Sequence, residues 1–304
     1  MKVVVILFLF FYSQTAAISN GYRATEFEFP YLVSVQDQWG IHYFDAIINS
    51  PSLLLTSCDN LASVTESKAE IKTAIYNSRL VTGSTYLLAA VVTRFPDKLF
   101  VHPKCREVGG VIEYDVGIIK VTEPFEFGDV VKPAKLSYDT SWLNQMISHH
   151  QQIRVIGWGD TKEILDTDNQ PVEPNPHVYV LSLKLADHQS CTNYLCEGAK
   201  DCMRSRTTIC TLPLDFGSLC VGDSGSPVYY ETWVWAVSTF VSKPCGVSQY
   251  HIFTRLDMCK PWITEIILNN EVKSPELFAK TSHNRVRTDL LVVNFVVVIT
   301  FYKL

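Results

Sequence analysis

Apolar residues fall into short runs along most of this chain, and Gly, Pro, Asn and Asp separate the runs. The clearest runs cover residues 31–35, 85–92, 116–121 and 178–185. Short apolar or alternating runs bounded by turn-forming residues predict β-strands. Many such strands at close spacing favour a sandwich or a barrel, so the pattern predicts an all-β protein. One segment, residues 261–268, instead predicts a helix, with proline at its start and an apolar stripe.

Composition sets the scale of the fold and excludes one class of partner. The chain has 304 residues, of which 47% are hydrophobic, so it can bury a large core as one domain or as two closely packed halves. Only 19% of its residues are charged and the net charge is −5. The chain therefore has no excess of positive charge of the kind that binds nucleic acid, and we expect no nucleic-acid partner.

The first 17 residues predict a secretory signal peptide. A charged start, Met1-Lys2, precedes an apolar run over residues 3–12 and then small residues up to Ala17. The run is too short to span a bilayer, which argues against a membrane anchor. Cleavage after Ala17 would make Ile18 the mature N-terminus of a secreted, extracellular protein.

The last segment, residues 270–304, leaves two alternatives open. A polar spacer over residues 271–289 precedes an apolar stretch over residues 290–302, which is short for a spanning helix. The combination fits the signal for a C-terminal lipid anchor, with Ala279 or Ser282 as the attachment site. The alternative is an unprocessed tail folded onto the barrel.

The most informative stretch is Gly222-Asp-Ser-Gly225, which follows Cys220 and leads into an apolar run. Two glycines permit a sharp turn around Ser224, and such a turn exposes a hydroxyl and aims successive backbone N–H groups at one point. An oxyanion hole requires this arrangement. On its own, the stretch is equally compatible with a polar turn between strands.

Further motifs occur in order along the chain. They are Asp115 within Tyr-Asp-Val-Gly-Ile-Ile-Lys-Val, Gly157-Trp-Gly159, and Ile18-Ser-Asn-Gly at the predicted mature start. With these motifs the chain resembles the trypsin/chymotrypsin-like (S1) serine proteases over residues 18–269. The resemblance implies two six-stranded antiparallel β-barrels joined by a crossover at about residues 136–152, a C-terminal helix, and a site between the barrels.

The resemblance also implies roles for individual residues. Ser224 would be the nucleophile and Asp115 the carboxylate that orients the base. The N–H groups of Gly222 and Ser224 would form the oxyanion hole. The amine of Ile18 would pair with Asp223, and because no Lys or Arg precedes Ile18, we expect signal peptidase to create this terminus.

The chain departs from the family at the catalytic base. Its segment Leu-Thr-Ser-Cys-Asp-Asn60 aligns without a gap with the motif that carries the histidine, and Asp59 takes the place of that histidine. A carboxylate is shorter than an imidazole and has a different donor and acceptor geometry. We expect Asp59 and Asp115 to lie close together, so that the pKa of one of them rises. No other histidine of the sequence is expected beside Ser224.

The primary specificity pocket is also expected to differ from that of active relatives. Ser218 stands at the floor, where trypsin-like members carry a carboxylate. Phe240 and His251 stand at wall positions where the family commonly keeps glycine. Their bulk predicts a narrowed or filled pocket.

Nine cysteines in a secreted chain predict disulfides and one odd thiol. Two family bridges are retained by resemblance, and two more pairs are predicted from the implied fold and from closeness in sequence. In this order the four pairs are Cys191–Cys210, Cys220–Cys245, Cys105–Cys259 and Cys196–Cys202. Cys58 is then left unpaired.

Together these features predict a secreted, non-catalytic serine protease homologue that binds a protein or peptide, such as a protease, an inhibitor or a receptor. The alternative is a weak or substrate-assisted serine endopeptidase that uses Ser224 and prefers small apolar side chains. A cation site at Asp59 and Asp115 has only two oxygen ligands, so we expect no metal and no cofactor.

Overall fold

The structure is a computed structural model of the chain, and it describes residues 21–159, 175–187, 189, 207–214, 217–240 and 250–271. Contacts divide the chain into one unit that ends at Trp262 and a second unit that begins at Ile263. Among the described residues, no helix combines the length and apolar character needed to cross a membrane. The predicted signal peptide and C-terminal tail lie outside the described residues.

The N-terminal half is built from antiparallel strands that form a curled half-barrel. Its strands are β1 (Tyr22–Arg23), β2 (Leu32–Gln36), β3 (His42–Ile48), β4 (Leu53–Thr56), β5 (Ala62–Val64), β6 (Ala69–Ile71), β7 (Arg79–Thr82), β8 (Val92–Arg94), β9 (Pro96–Val101), β10 (Arg106–Val108), β11 (Val111–Glu113) and β12 (Gly117–Val121). The main sheet has the order β8-β7-β2-β3-β4-β12-β9, while β5–β6 and β10–β11 form separate hairpins. A short helix, α1 (Cys58–Leu61), follows β4 directly.

The C-terminal half forms a closed barrel of six strands. Its strands are β13 (Gln152–Gly157), β14 (Tyr179–Ala186), β15 (Thr208–Pro213), β16 (Pro227–Tyr230), β17 (Trp233–Phe240) and β18 (His251–Arg255). The order β14-β13-β16-β17-β18-β15 closes because β15 also pairs with β14, and β1 adds to the outside of β14. The chymotrypsin-like, all-β architecture expected from the sequence is therefore confirmed, with the first barrel present as a curled half-barrel.

Apolar alternation explains how each half holds together. Inward-facing residues of both sheets are fully or almost fully buried, and burying such side chains is the main favourable contribution to folding. The core of the first half includes Val33, Val35, Ala46, Ile48, Leu54 and Ile119. The core of the second half includes Leu181, Leu183, Leu185, Trp235 and Phe253.

Three local features differ from the predictions. The apolar run at residues 85–92 is a loop with a 3-10 turn, Leu87–Ala89, and a strand begins only at Val92. Leu88 is 78% exposed and Val91 is 71% exposed, so the run has no second layer to cover it. The predicted crossover contains a helix, α2 (Leu143–Ser148). The last helix, α3 (Leu256–Glu271), begins five residues before Pro261, which lies inside it.

Candidate functional site

The turn around Ser224 has the sharp geometry that its glycines predict. Gly222 and Gly225 have φ angles of 101° and 84°, which side chains rarely adopt. A Cβ at Gly225 would lie 2.1 Å from the backbone oxygen of Asp45 and 2.3 Å from Thr56 Oγ1. The Asp45 N–H donates to the Ser224 carbonyl at 2.9 Å, so strand β3 fixes the turn from one side.

Asp59 lies next to Asp115, as the alignment predicts. Its backbone N–H donates to Asp115 Oδ1 at 2.8 Å. Its carboxylate is half-exposed and lies 3.9 Å from Lys72 Nζ, which also donates to the Asp59 carbonyl. Within the described part of the chain, the Asp59 carboxylate makes no hydrogen bond to Ser224. Asp59, which the sequence alignment predicts at the position of the base, is therefore paired with a lysine rather than with the nucleophile.

The hydroxyl of Ser224 is hydrogen-bonded to a second serine. Ser57 Oγ lies 3.1 Å from Ser224 Oγ, and it also accepts the N–H of Asn60 at 3.2 Å as the N-cap of α1. A hydroxyl is far too weak a base to take the proton of another hydroxyl at neutral pH. Ser57 was not among the site residues predicted from the sequence, although its place between Thr56 and Cys58 in the aligned motif already put it near the nucleophile.

Asp115 is fully buried, and its second carboxylate oxygen has no partner. The pKa of Asp115 is raised to about 8, first by burial and then by the nearby charge of Asp59, against the opposing effect of backbone N–H groups from Asp59 and Cys58. Oδ2 makes no hydrogen bond to any described residue, and neither does the buried hydroxyl of Ser238. Asp115 is thus largely protonated at neutral pH, and no imidazole of the described residues is hydrogen-bonded to it.

Beneath the serine turn lies a second pair of buried carboxyl groups that the sequence analysis did not anticipate. Asp45 Oδ2 accepts the Ser226 hydroxyl at 2.7 Å, and Asp223 Oδ1 accepts the Gly159 N–H at 2.9 Å. A Cβ at Gly157 would lie 2.4 Å from both Asp45 Oδ2 and Asp223 Oδ1. Burial, and then the charge of Asp223, raises the pKa of Asp45 well above its usual value. The predicted partner of Asp223, Ile18, lies outside the described residues.

His42 stabilises the serine turn but does not contact the nucleophile. Its Nδ1 lies 2.8 Å from the Ser34 hydroxyl and its Nε2 lies 3.1 Å from the carbonyl of Gly222. Since a carbonyl only accepts, Nε2 carries the proton and Nδ1 accepts from Ser34. Burial lowers the pKa of His42 to about 4, so the ring is neutral and both its nitrogens are engaged.

Two other described histidines, His102 and His251, are also engaged or buried. His102 Nδ1 accepts the Lys104 N–H at 3.1 Å, and its ring stacks on Tyr114. His251, predicted at the wall of the specificity pocket, is fully buried, and burial lowers its pKa to about 4. The Gly217 carbonyl lies nearby, yet the ring nitrogens of His251 make no hydrogen bond of normal geometry.

The other two predicted pocket residues are only partly described. Ser218 is buried, and its hydroxyl donates to the carbonyl of Leu219 at 3.0 Å. A neutral hydroxyl committed to the backbone offers nothing for a basic side chain to bind. The side chain of Phe240 lies outside the described residues, so the predicted narrowing by that ring stays a prediction.

The disulfide predicted between Cys105 and Cys259 is wrong. Cys58 and Cys105 form a disulfide, with Cα atoms 6.6 Å apart, and Cys259 is a buried free thiol. Helix α1 brings Cys58 against the turn that carries Cys105, and both belong to one buried cluster. Among the described residues, Cys259 is therefore a free thiol and Cys58 is not.

The remaining predicted bridges involve residues that lie partly outside the described part of the chain. Cys210 is disulfide-bonded, and its predicted partner, Cys191, is outside. Cys245 is outside as well, so the bridge predicted from Cys220 is untested. Cys196 and Cys202 also lie outside the described residues.

Residues 18–263 match the Trypsin family model. The chain belongs to the trypsin family. The thrombin-like enzyme BjussuSP-1 of Bothrops jararacussu is 25% identical over 181 residues, which cover 59% of this chain and 70% of that enzyme. Renal glandular kallikrein of Mastomys natalensis is 25% identical over 158 residues, covering 51% of this chain and 54% of the kallikrein.

Two solved structures show the same fold. Human heparin binding protein has a TM-score of 0.62 at 19% identity and covers 83% of this chain and 96% of its own. Neuropsin, a serine protease of mouse brain, has a TM-score of 0.65 at 17% identity and covers 82% of this chain and 99% of its own. The chain is thus a trypsin-like protein with disulfide bonds, as is typical of secreted proteases, and its site lacks a histidine at the position of Asp59.

Proposed function

We propose that this protein is a secreted, non-catalytic member of the trypsin family that binds a protein or an extended peptide. One observation carries the proposal. The position of the base holds Asp59, whose backbone contacts Asp115 and whose carboxylate lies beside Lys72 instead of Ser224. Among the described residues, the Ser57 hydroxyl is the only hydrogen-bond partner of the Ser224 hydroxyl.

The chemical consequence follows from what the base does in a serine protease. It must take the proton of the serine as the hydroxyl attacks, and later give it to the leaving amine. Ser57 can relay a proton but cannot hold one, and Asp115 is itself protonated at neutral pH because burial raises its pKa to about 8. Losing a triad member lowers turnover by about 10⁴–10⁶-fold in this type of site.

A weak or substrate-assisted endopeptidase is the alternative, and the preserved serine turn favours it. Gly222 and Gly225 keep the left-handed backbone that presents Ser224 and the predicted oxyanion donors. A substrate that brings its own basic group could then replace the missing imidazole. One of the similar proteins is named as an enzyme, the thrombin-like enzyme, and another is named for what it binds, the heparin binding protein.

Labelling with a serine-directed fluorophosphonate separates the two functions. We expect the wild type to react no faster than Ser224→Ala, and Asp59→His to gain labelling, because the new imidazole would lie between Asp115 and the serine. Wild-type labelling at the rate of an ordinary protease, abolished by Ser224→Ala, would show that a base exists and would refute the proposal.

Two variants sharpen the experiment. Ser57→Ala removes the hydrogen bond to Ser224 and leaves the glycine turn around Ser224 unchanged. We expect this variant to be labelled as little as the wild type. Lys72→Gln removes the cation beside Asp59, and it tests whether freeing that carboxylate restores any reaction. Labelling of Lys72→Gln at a protease-like rate would identify Asp59 as a competent base.

The proposed function also implies where the protein is located and what kind of partner it binds. We infer an extracellular protein that holds a protease, an inhibitor, a receptor or a peptide, with attachment to the membrane through a C-terminal lipid anchor as an additional feature. N-terminal sequencing of the secreted protein should begin at Ile18. Release from cells by a phosphatidylinositol-specific phospholipase would support the anchor, and full recovery in the medium without the enzyme would exclude it.

A further inference from the structure

A cavity of about 350 Å³ lies outside the serine site. Three aromatic residues line it. The ring of Phe29 lies 6.2 Å from the ring of Tyr31 and 5.6 Å from that of Tyr229, and Phe29 and Tyr229 are buried. Volumes of roughly 300–1,000 Å³ with a mainly apolar lining are typical of sites for small molecules. None of the residues of the serine site lines this cavity.

Backbone hydrogen bonds hold the lining in place. The Lys132 N–H donates to the Pro30 carbonyl at 3.0 Å, and the Val234 N–H donates to the Lys135 carbonyl at 2.9 Å. Arg154 and Tyr229 face each other in the ladder between β13 and β16. A cavity whose walls are pinned in this way is already formed before a ligand binds, which lowers the entropic cost of binding.

Three cationic side chains lie around the three aromatic rings of the cavity, and none of them is paired with a carboxylate of the described residues. Lys132, Lys135 and Arg154 line the cavity, and within the described residues none of the three has a carboxylate oxygen within 4.0 Å. Exposed cations that converge on a cavity and have no carboxylate within salt-bridge distance favour an anionic ligand group.

Two carboxylates also line the cavity and reduce its net charge to +1. Glu28 is engaged elsewhere, because its Oε2 accepts both the N–H and the hydroxyl of Thr25 at 2.9 Å. Glu231 stands on the exposed turn between β16 and β17, with a φ of 55°. Glu231 should therefore oppose an anionic ligand, which provides a second charge to test.

We propose that this cavity binds a small acid with a flat apolar body and one anionic head, such as a carboxylate or a phosphate. The body would pack on Phe29, Tyr31 and Tyr229, since aromatic rings stack on flat apolar groups. The head would lie among Lys132, Lys135 and Arg154, and the guanidinium can donate two hydrogen bonds to one carboxylate or phosphate. Ligand binding here is independent of whether Ser224 reacts.

Phenyl phosphate is a suitable probe, titrated into the full secreted protein by isothermal calorimetry or by ligand-observed NMR. We expect saturable binding of one molecule per chain with a Kd of about a millimolar, given the small size of the probe. Inorganic phosphate lacks the flat body and benzyl alcohol lacks the charge, so each should bind more weakly.

Single charge changes test the arrangement of the cavity. Arg154→Gln and Lys135→Gln should each weaken binding by about two- to fivefold, because exposed charges act through solvent. Glu231→Gln should strengthen binding by a similar factor. Lys98→Gln is the matched control, since Lys98 is an exposed lysine of β9 that does not line the cavity.

Three results would overturn the proposal. They are the absence of saturable binding, equal affinities for phenyl phosphate and benzyl alcohol, or the same affinity in Arg154→Gln as in Lys98→Gln. All the substituted side chains are exposed, and near-UV circular dichroism verifies that each variant is folded. Fluorophosphonate labelling is expected to be identical in the wild type and in these variants, so failure here leaves the proposed function untouched.

Discussion

Asp115→Asn should change how the stability of the protein depends on pH. Burial, and then the charge of Asp59, raises the pKa of Asp115 from 3.8 to about 8 in the folded protein. Asparagine keeps an oxygen that can accept the N–H of Asp59, and it occupies nearly the same volume. It differs from aspartate in lacking the proton that the folded state holds more tightly than the unfolded state.

The magnitude follows from proton linkage. A folded-state pKa above the unfolded value favours folding fully at a pH below about 4, and this advantage is lost as the pH rises towards 8. Each pH unit in that window removes about 1.4 kcal/mol from the wild type relative to the variant. From pH 5 to pH 7 the free energy of unfolding of Asp115→Asn should therefore increase by about 3 kcal/mol relative to that of the wild type.

Urea denaturation at pH 5, 6, 7 and 8, with the disulfides intact, measures this difference. The contribution of Asp45 titrates in both proteins and cancels in the subtraction. Asp97→Asn, which removes an exposed carboxylate from β9, should give a curve parallel to that of the wild type. If the curve of Asp115→Asn is also parallel to the wild type, the carboxyl group of Asp115 is not held protonated and the electrostatic account of the site is wrong.

Four other variants test separate features. Asp45→Asn should raise the Tm at pH 7, because burial raises the pKa of Asp45 in the folded state; a lower Tm, measured by calorimetry, would contradict this. Removing the disulfide in Cys58→Ala/Cys105→Ala, which are 47 residues apart, should cost about 4 kcal/mol in urea denaturation. Cys259→Ala should cost less, and a peptide linking Cys105 to Cys259 in non-reducing mass spectrometry would reverse the assignment. Gly225→Ala places a Cβ 2.1 Å from a backbone oxygen, so it should lower stability by about 2 kcal/mol or more; a urea midpoint equal to that of the wild type would refute this.

Short-range patterns predicted the parts of the fold and site that depend on local chemistry. The turn around Ser224 could be located because φ angles such as that of Gly225 require glycine. The contact of Asp59 with Asp115 followed from an alignment without gaps. The strand pattern failed at residues 85–92, because apolar character alone does not reveal whether a second layer will cover a run.

Features that depend on contacts between distant parts of the chain were harder to predict from the sequence. The Cys58–Cys105 disulfide depends on α1 lying against the Cys105 turn, and their sequence separation does not reveal this. Asp45 carried a weak signal, because it lies in the buried part of strand β3, where a carboxyl group is unusual. Its proximity to Asp223 arises only when β3 packs under the serine turn.

The preserved serine turn is weaker evidence for catalysis than it first suggests. Gly225 is required because a side chain there would collide with the Asp45 carbonyl and with Thr56. Gly157 is required because two carboxylate oxygens occupy the space that its Cβ would fill. Both constraints come from packing between the two halves of the fold, and they would persist without any selection for cleavage. Asp115 Oδ2 is buried and makes no hydrogen bond to any described residue, and an unsatisfied buried polar atom of this kind costs stability. Retention of Gly222-Asp-Ser-Gly225 is thus explained by the fold alone, and it does not by itself favour the endopeptidase over the proposed non-catalytic function.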